Sequence, residues 1–406
     1  MNALDRLSAE RNGCVLTLNA GSSSLKVALY ASDDATPCIR GMADRIGDAG
    51  VLKLYRADGQ PLAVTDARLD THEAAFGTLI DVLRAASPGL RLDAVGHRVV
   101  HGGQRYDKPL VLDDDAMDYL STLVPFAPLH QPHNLRGIRA AMAAFAHVPQ
   151  VACFDTSFHR SHPWVNDAFA LPRALYDEGV RRYGFHGLSY EYVSGLLAHE
   201  APQLWAGKVV VAHLGNGASM CAVQNGRSVA STMGFSALDG LPMGTRCGQL
   251  DPGVLLYFMD QKGMTAAEIS DLLYKRSGLL GLSGLSNDMR TLEAAGTPEA
   301  REAIDYFVFR CQREVGAMAA AMGGIDALVF CGGIGENSRL IRQRICERLD
   351  WMGVQLDHAR NADNAMVISS DLARTTVLVV PTNEELVIAR AARHAAAGAV
   401  PEPAPA

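Results

Sequence analysis

Residues Val209–Val223 read VVVAHLGNGASMCAV. Four apolar residues run into His213, a Leu-Gly-Asn-Gly turn follows, and Ala-Ser-Met-Cys-Ala-Val leads away. The pattern predicts strand, turn, strand. Gly215 and Gly217 tolerate φ > 0 and, lacking Cβ, let an anion come close to the backbone. Such a turn aims N–H groups into one concavity, which suits a phosphate. Cys14–Tyr30, CVLTLNAGSSSLKVALY, repeats the design near the N-terminus, with Lys26 on its second strand. One hairpin of this kind in each half predicts two related domains facing one phosphate chain. Two ordinary hairpins with polar turns are the plainer alternative.

The bulk properties narrow the class. A chain of 406 residues with 48% hydrophobic and 20% charged residues supports two or three globular domains. With 37 basic and 44 acidic residues the net charge is −7, so the basic footprint of a nucleic-acid binder is missing. Any positive charge that holds an anion must be local. The eight cysteines form no CxxC and fall in apolar strand or helix patterns, which predicts buried thiols in a reducing compartment. No apolar leader and no run of about 18 apolar residues is present. A soluble, cytoplasmic protein is expected, without membrane or nucleic-acid partners.

Along the chain, residues 1–12 are expected to form a loose extension and Gly398–Ala406 a frayed tail. Helices are predicted over Thr71–Ala86, Asp114–Val124, Leu135–Ala146, Tyr190–His199 and Pro298–Met322. The last of these has Thr297 as cap, Pro298 at its first position and Gly323 as its stop. Leu92–Val100 reads as a strand delivering Arg98 to its end, and Gln150–Phe154 as a buried strand running into Asp155. Pro172–Ala174, Tyr183–Leu188 and Ser286–Arg290 read as loops, and Asn225-Gly226 as a type I′ turn. Ser231–Pro252 is a long aperiodic stretch holding Arg246, and such stretches are usually functional when apolar. Asp326–Asn337, DALVFCGGIGEN, reads as strand, glycine loop and helix entry. Thr376–Val380 is the last strand. Thr382 and Glu385 have capping-box spacing for a closing helix. Alternating strands and helices make the class α/β. The repeated hairpin suggests duplicated βββαβαβα domains with an active-site cleft between them. The boundaries are set at 13–157 plus 386–397 for one domain and 158–385 for the other.

Several chemistries are excluded or weakened by missing motifs, a serine hydrolase among the weakened. GxxxxGK[ST], GxGxxG, the protein-kinase set and GxSxG are all absent. His130-x-x-His133 and His159-x-x-His162 have metal-ligand spacing but no clear third ligand. What remains is a set of phosphate-compatible turns with the cations Lys26, Arg98, His186, Arg246 and Arg290, and the acids Asp155, Asp288 and Glu384. Phosphoryl transfer needs this inventory, because its transition state is stabilised mostly by positioned cations and Mg²⁺. Each residue also has an ordinary structural reading: a surface ion pair for Arg98, a loop histidine for His186, helix caps for Asp155 and Glu384.

The segments NAGSSSLK (19–26), HRVVHGG (97–103), FDTSFH (154–159), YGFHG (183–187), HLGNG (213–217), MGTRC (243–247), GGIGEN (332–337) and TNEELVIA (382–389) together resemble the acetate kinase family, in family order, over residues 14 to 392. The resemblance implies two duplicated ribonuclease H-like domains, a homodimer, and reversible phosphoryl transfer from ATP to acetate, giving acetyl phosphate and ADP. Asn19 and Glu384 match its metal-binding positions for Mg²⁺, with Mn²⁺ as an alternative. Arg98 and Arg246 would grip carboxylate and phosphoryl, His186 would stabilise the transition state, and Asp155 holds the catalytic acid position. Since a carboxylate substrate is already ionised, Asp155 is better suited to orienting Arg98 or a metal-bound water. His213, Leu214, Gly215, Asn216, Gly217, Asp288, Met289, Arg290, Gly332, Gly333, Ile334, Gly335 and Glu336 match nucleotide-binding segments, and Lys26 another ATP contact. Val100, Leu129, Phe185 and Ala237 would line the acyl pocket. The family commonly has proline where Ala237 stands, and glutamate where Gln104 follows HGG. A pocket admitting one more methylene would take propionate, so another short-chain acyl kinase stays open, as does a nucleotide-switched binding protein on the same fold.

Overall fold

The computed structural model describes residues 13–21, 24–31, 35–48, 50–65, 69–87 and 89–398. The predicted extension 1–12, the tail beyond Gly398, and Ser22 and Ser23 of the first turn lie outside them. The chain divides into two compact units, with boundaries after Ser157 and between Thr382 and Asn383. The second boundary falls three residues before the one expected from the sequence, which assigns Glu384 to the first unit.

The first unit carries β1 (Cys14–Ala20), β2 (Leu25–Tyr30), β3 (Ile39–Asp44), β4 (Val51–Arg56), β5 (Pro61–Thr65), β6 (Leu92–Val99), β7 (Leu110–Val111) and β8 (Gln150–Phe154) in the order β5-β4-β3-β2-β1-β6-β8-β7. The second carries β9 (Lys208–Leu214), β10 (Ala218–Gln224), β11 (Arg227–Ser231), β12 (Ala327–Cys331) and β13 (Thr376–Val379) in the order β11-β10-β9-β12-β13. Each sheet has the same heart. Three antiparallel strands meander to the middle, and two strands then join in parallel: β6 and β8 in one unit, β12 and β13 in the other. That shared order is the duplicated α/β fold expected from the two hairpins. The first unit adds β4 and β5 at one edge and β7 at the other.

The second core shows why the opening stretch folds as it does. Val209, Val211, Cys221 and Val223 point to one face of their sheet and pack with Tyr190, Val193 and Leu197, one stripe of the helix Gly187–Glu200. Helix Pro298–Met322 covers β9, β10 and β11, capped by Thr297 onto the Ala300 N–H and ended by Gly323 at φ 68°. Asn225 and Gly226 both have positive φ, 51° and 71°, as a type I′ turn requires.

Several boundaries differ from the sequence reading. The third predicted stretch of helix begins at Gln131, not Leu135, because Pro132 sits in its first turn, where a missing N–H costs nothing. Arg173–Asp177 is a short helix rather than loop. The helix expected from Tyr190 begins at Gly187, with His186 as its N-cap in the left-handed region at φ 58°. Met289 and Arg290 open a helix capped by Asp288. The glycines of GGIGEN are helical, over Gly332–Asn337. The final helix, Glu384–Ala396, is capped by Asn383 onto the Leu386 N–H, so the Thr382–Glu385 capping box does not form.

Candidate active site

In the first unit the parallel strands end together, and ligand groups of α/β sheets collect at such carboxyl ends. Arg98 stands near the end of β6, opposite Cys153 of β8. Asp155 follows β8 immediately. Its carboxylate takes Arg98 in a two-point grip, Nε to Oδ1 at 2.9 Å and Nη2 to Oδ2 at 2.6 Å. Glu384 Oε2 lies 3.9 Å from Arg98 Nε. Burial alone would lower the Arg98 pKa; Asp155 and then Glu384 outweigh it and hold the guanidinium above its ordinary value. Asp155 spends both oxygens on this pair, so its geometry is that of a residue orienting Arg98. Of the guanidinium's five N–H groups, three remain for other acceptors. Asn19 is the single partly exposed position in the otherwise buried β1.

The HRVVHGG segment is held by residues that the sequence reading passed over. Asn134 accepts from the Val100 N–H at 3.0 Å and donates to the Ala20 carbonyl at 2.7 Å. Gln131 accepts from the His101 N–H and donates back to its carbonyl. Thr156 accepts from the Gly102 N–H at 3.1 Å. The available signal was a pair of amides three residues apart, Gln131 and Asn134, on the start of a helix facing the core.

In the second unit, His186 and Arg246 meet at Gly217. A Cβ on Gly217 would lie 2.9 Å from Arg246 Nη2 and 3.2 Å from His186 Nε2. The other end of each side chain is fixed. Arg246 Nη1 donates to the Ala237 carbonyl at 2.6 Å, and His186 Nδ1 is 2.8 Å from Ser219 Oγ. The His186 ring stacks on His213 at 4.3 Å between centroids. His213 Nδ1 in turn is 2.8 Å from Ser189 Oγ. The loop bearing Arg246 is tied to the turn by the Gly244 N–H, which donates to the Asn216 carbonyl. An imidazole and a guanidinium thus point at one backbone position that carries no side chain.

Next to this turn lies a cavity of about 720 Å³ lined by Gly215, Asn216, Asp288, Met289, Arg290, Gly333 and Ile334. That volume is in the range of small-molecule sites. Three segments far apart in sequence therefore share one wall, and Asn287, Glu293, Asn337 and Ser338, not anticipated from sequence, complete it. Gly332 has φ 75°, and a side chain there would press into the Leu214 carbonyl at 2.8 Å. Asp288 caps its helix and pairs with the exposed Arg290 at 2.6 Å.

Several other residues expected at the site stand outside the cavity lining. His213, Leu214, Gly217, Gly332, Gly335 and Glu336 are not among the residues that line the cavity. The Glu336 carboxylate turns inward and accepts from the N–H groups of Gly332 and Thr382 at 2.9 and 3.0 Å. Lys26 is exposed on β2, opposite Asn19, in the first unit. Val100 and Leu129 belong to the first unit, Phe185 and Ala237 to the second; Val100 and Phe185 are buried.

The His159–His162 pair is tied into the fold. His159 has both nitrogens engaged, Nδ1 with Ser228 Oγ at 2.8 Å and Nε2 with the Phe185 carbonyl at 2.9 Å, and His162 Nε2 reaches the same hydroxyl at 2.7 Å. Among the described residues no three His, Cys, Asp or Glu side chains are grouped to hold a metal. Burial lowers His159 and His97 to about 4. Both are neutral in the fold, whereas the unfolded chain takes up their protons below about pH 6.5. Their contribution is therefore full above that pH and is lost as pH falls toward 4. Each is worth up to about 3 kcal/mol. The melting temperature should stay level from pH 8 to 7 and fall between 6.5 and 4.5, with a shallower fall in His97→Gln. A flat profile in that window would contradict the burial argument.

A profile of the Acetokinase family matches residues 14–390. The chain is 56% identical over 391 residues to an acetate kinase of Methylocella silvestris, covering 93% of this chain and 96% of that one. It is 51% identical to an acetate kinase of Rhizobium meliloti, with 93% and 96% covered. The crystal structure of Porphyromonas gingivalis acetate kinase superposes with a TM-score of 0.87 at 37% identity, covering 94% of this chain and 99% of that chain. A propionate kinase from Francisella tularensis superposes at 0.89 with 36% identity and the same coverage.

Proposed function

The chain belongs to the acetokinase family, and from that premise we propose how its own residues carry a phosphoryl group from ATP to acetate. The enzyme is a phosphotransferase with a carboxyl acceptor and uses ATP and ADP as co-substrates. The observation that carries the residue assignment is the meeting of His186 and Arg246 at Gly217, beside a cavity of nucleotide size. In this reading Asp155 orients Arg98, and Arg98 binds the acetate carboxylate with its remaining N–H groups. One carboxylate oxygen attacks the γ-phosphorus in line, the bond from phosphorus to the β–γ bridging oxygen breaks, and ADP leaves. No proton moves, because acetate is ionised at neutral pH. His186 and Arg246 meet the charge on the equatorial oxygens. Direct transfer predicts no phosphoenzyme with ATP alone.

Asn19 and Glu384 offer one amide oxygen and one carboxylate, a hard-oxygen set that suits Mg²⁺ carried largely by nucleotide phosphates and water. When bound, the ion would neutralise phosphate charge; Mn²⁺ has the same ligand preference. The exposed helix Pro252–Asp260 supports a homodimer. None of its residues is buried, and Leu256, Tyr257 and Met259 are 62, 49 and 46% exposed. Sedimentation should give twice the monomer mass, and Leu256→Asp should shift it toward one. No disulfide links any of the eight cysteines, which supports a cytoplasmic setting. Among the described residues no helix is long and apolar enough to cross a membrane.

The small side chain of Ala237 favours a second reading, in which propionate is also accepted. Comparing kcat/KM for acetate, propionate and butyrate with MgATP decides between them. A preference for propionate over acetate would overturn the first reading. A pocket distinguishes one methylene by only about 1–3 kcal/mol.

Gly333 tests the nucleotide cavity. A Cβ there meets nothing within 4 Å, so the first side-chain atom enters open space beside the cavity. Gly333→Val should raise the KM for ATP by about tenfold or more, while leaving the melting temperature within a few degrees. Unchanged ATP kinetics would remove the nucleotide from this cavity.

A further inference from the structure

Among the described residues the largest side chain buried completely is a charged one, Arg342, on the helix Arg339–Cys346. Its five N–H protons find five acceptors. Nε donates to Asn361 Oδ1 at 2.8 Å. Nη1 donates to the carbonyls of Gly335 and Glu336, both at 2.9 Å. Nη2 donates to the Asn361 carbonyl at 3.1 Å and to Asn364 Oδ1. All five acceptors are neutral oxygens. A buried cation is costly, and an apolar side chain of similar size would fill the same space more cheaply. Its position suggests a use. Gly335 and Glu336 are the last carbonyl-bearing turn of Gly332–Asn337, whose neighbours Ile334, Asn337 and Ser338 line the cavity. A cation at the carbonyl end of a short helix interacts favourably with its dipole. Asn364, at φ 54°, braces the same turn by donating to the Glu336 carbonyl at 2.8 Å.

We propose that Arg342 is a positioning residue for the nucleotide: it clamps the carbonyls behind the Gly333–Ser338 wall and places an unneutralised positive charge behind the phosphate-facing turn. The inference rests on the nucleotide reading of that cavity. It predicts an effect specific to one substrate, which a purely structural plug would not produce.

The test uses the full-length enzyme, with KM for ATP and for acetate measured separately and ADP binding followed by calorimetry. Arg342→Gln should weaken ADP and raise the KM for ATP about tenfold, the loss expected for one charge-assisted contact, with the KM for acetate within twofold. Arg342→Lys, which keeps the charge but not the fork, should fall between Arg342→Gln and the parent. If Arg342→Gln does not fold, Asn364→Gly keeps the left-handed backbone and removes one brace; about a threefold loss of ADP affinity is expected. Unchanged ADP affinity in a folded variant overturns the proposal, as does an equal rise in both KM values. If Gly333→Val weakens ADP and the Arg342 variants do not, only the role of Arg342 falls. If Gly333→Val also has no effect, the cavity assignment falls with it.

Discussion

Replacing Arg246 by alanine should lower kcat by roughly 10³-fold, with a much smaller change in the KM for ATP. The guanidinium is placed from both ends. Nη1 is anchored on the Ala237 carbonyl at 2.6 Å, and Nη2 faces the backbone of Gly217 beside His186 Nε2. A charge held this way does not need to reorganise as the phosphoryl develops its equatorial charge, and such preorganisation is the larger part of electrostatic catalysis. Arg246→Lys keeps the charge but has one donor centre for two positions, so it should recover only part of the loss. The gap itself can be probed without touching either side chain. Gly217→Ala inserts a methyl 2.9 Å from Arg246 Nη2 and 3.2 Å from His186 Nε2. Both are side-chain ends that can shift, so stability should hold while kcat falls on the order of 10²-fold from misplacement. A loss of tenfold or less for Arg246→Ala, measured at saturating acetate and ATP, would make the residue a loop anchor.

Asp155→Ala should damage acceptor binding and stability together. The carboxylate is 3% exposed and holds Arg98 at two points, so its removal leaves a largely buried guanidinium with Glu384 at 3.9 Å as its nearest remaining acid. Breaking a buried pair from one side typically costs about 3–5 kcal/mol; the part of Arg98 still open to solvent should reduce that figure here. The KM for acetate should rise and kcat/KM for acetate should fall by 10²-fold or more, because Arg98 loses its orientation. Asp155→Asn should be nearly as damaging, since an amide offers one acceptor where the guanidinium needs two. The cycle with Arg98→Ala distinguishes orientation from general-base chemistry. If Asp155 acts only through Arg98, the double variant should be little worse than Arg98→Ala alone. Fully additive losses would give Asp155 an independent role on the substrate.

The division between sequence and structure follows the range of the interactions. Strands and turns were legible where the cause is local: apolar runs around a glycine turn in VVVAHLGNGASMCAV, a turn at Asn225-Gly226, a cap and stop around Pro298–Met322. The order of segments in the chain was enough to identify the family. Helix starts were misread at Gln131, Gly187 and Met289 because prolines, glycines and polar residues there were taken as breakers. Pro132 is tolerated in a first turn, Asp288 caps the helix that Met289 opens, and the buried stripe of Gly187–Glu200 carries that helix back to Gly187.

The chain by itself therefore determined the α/β class, the duplicated hairpins, the phosphate-compatible turns and the identity of the cations. Tertiary structure alone decided which of these act together. It joined residues 215–216, 288–290 and 333–334 around one cavity, turned Glu336 inward, committed Asp155 to Arg98, and set Asn134 as the bridge to the Ala20 carbonyl 114 residues away. Residue type fixes what a side chain can donate or accept, but the partner across a hundred residues is chosen only when packing brings both into the same dry space.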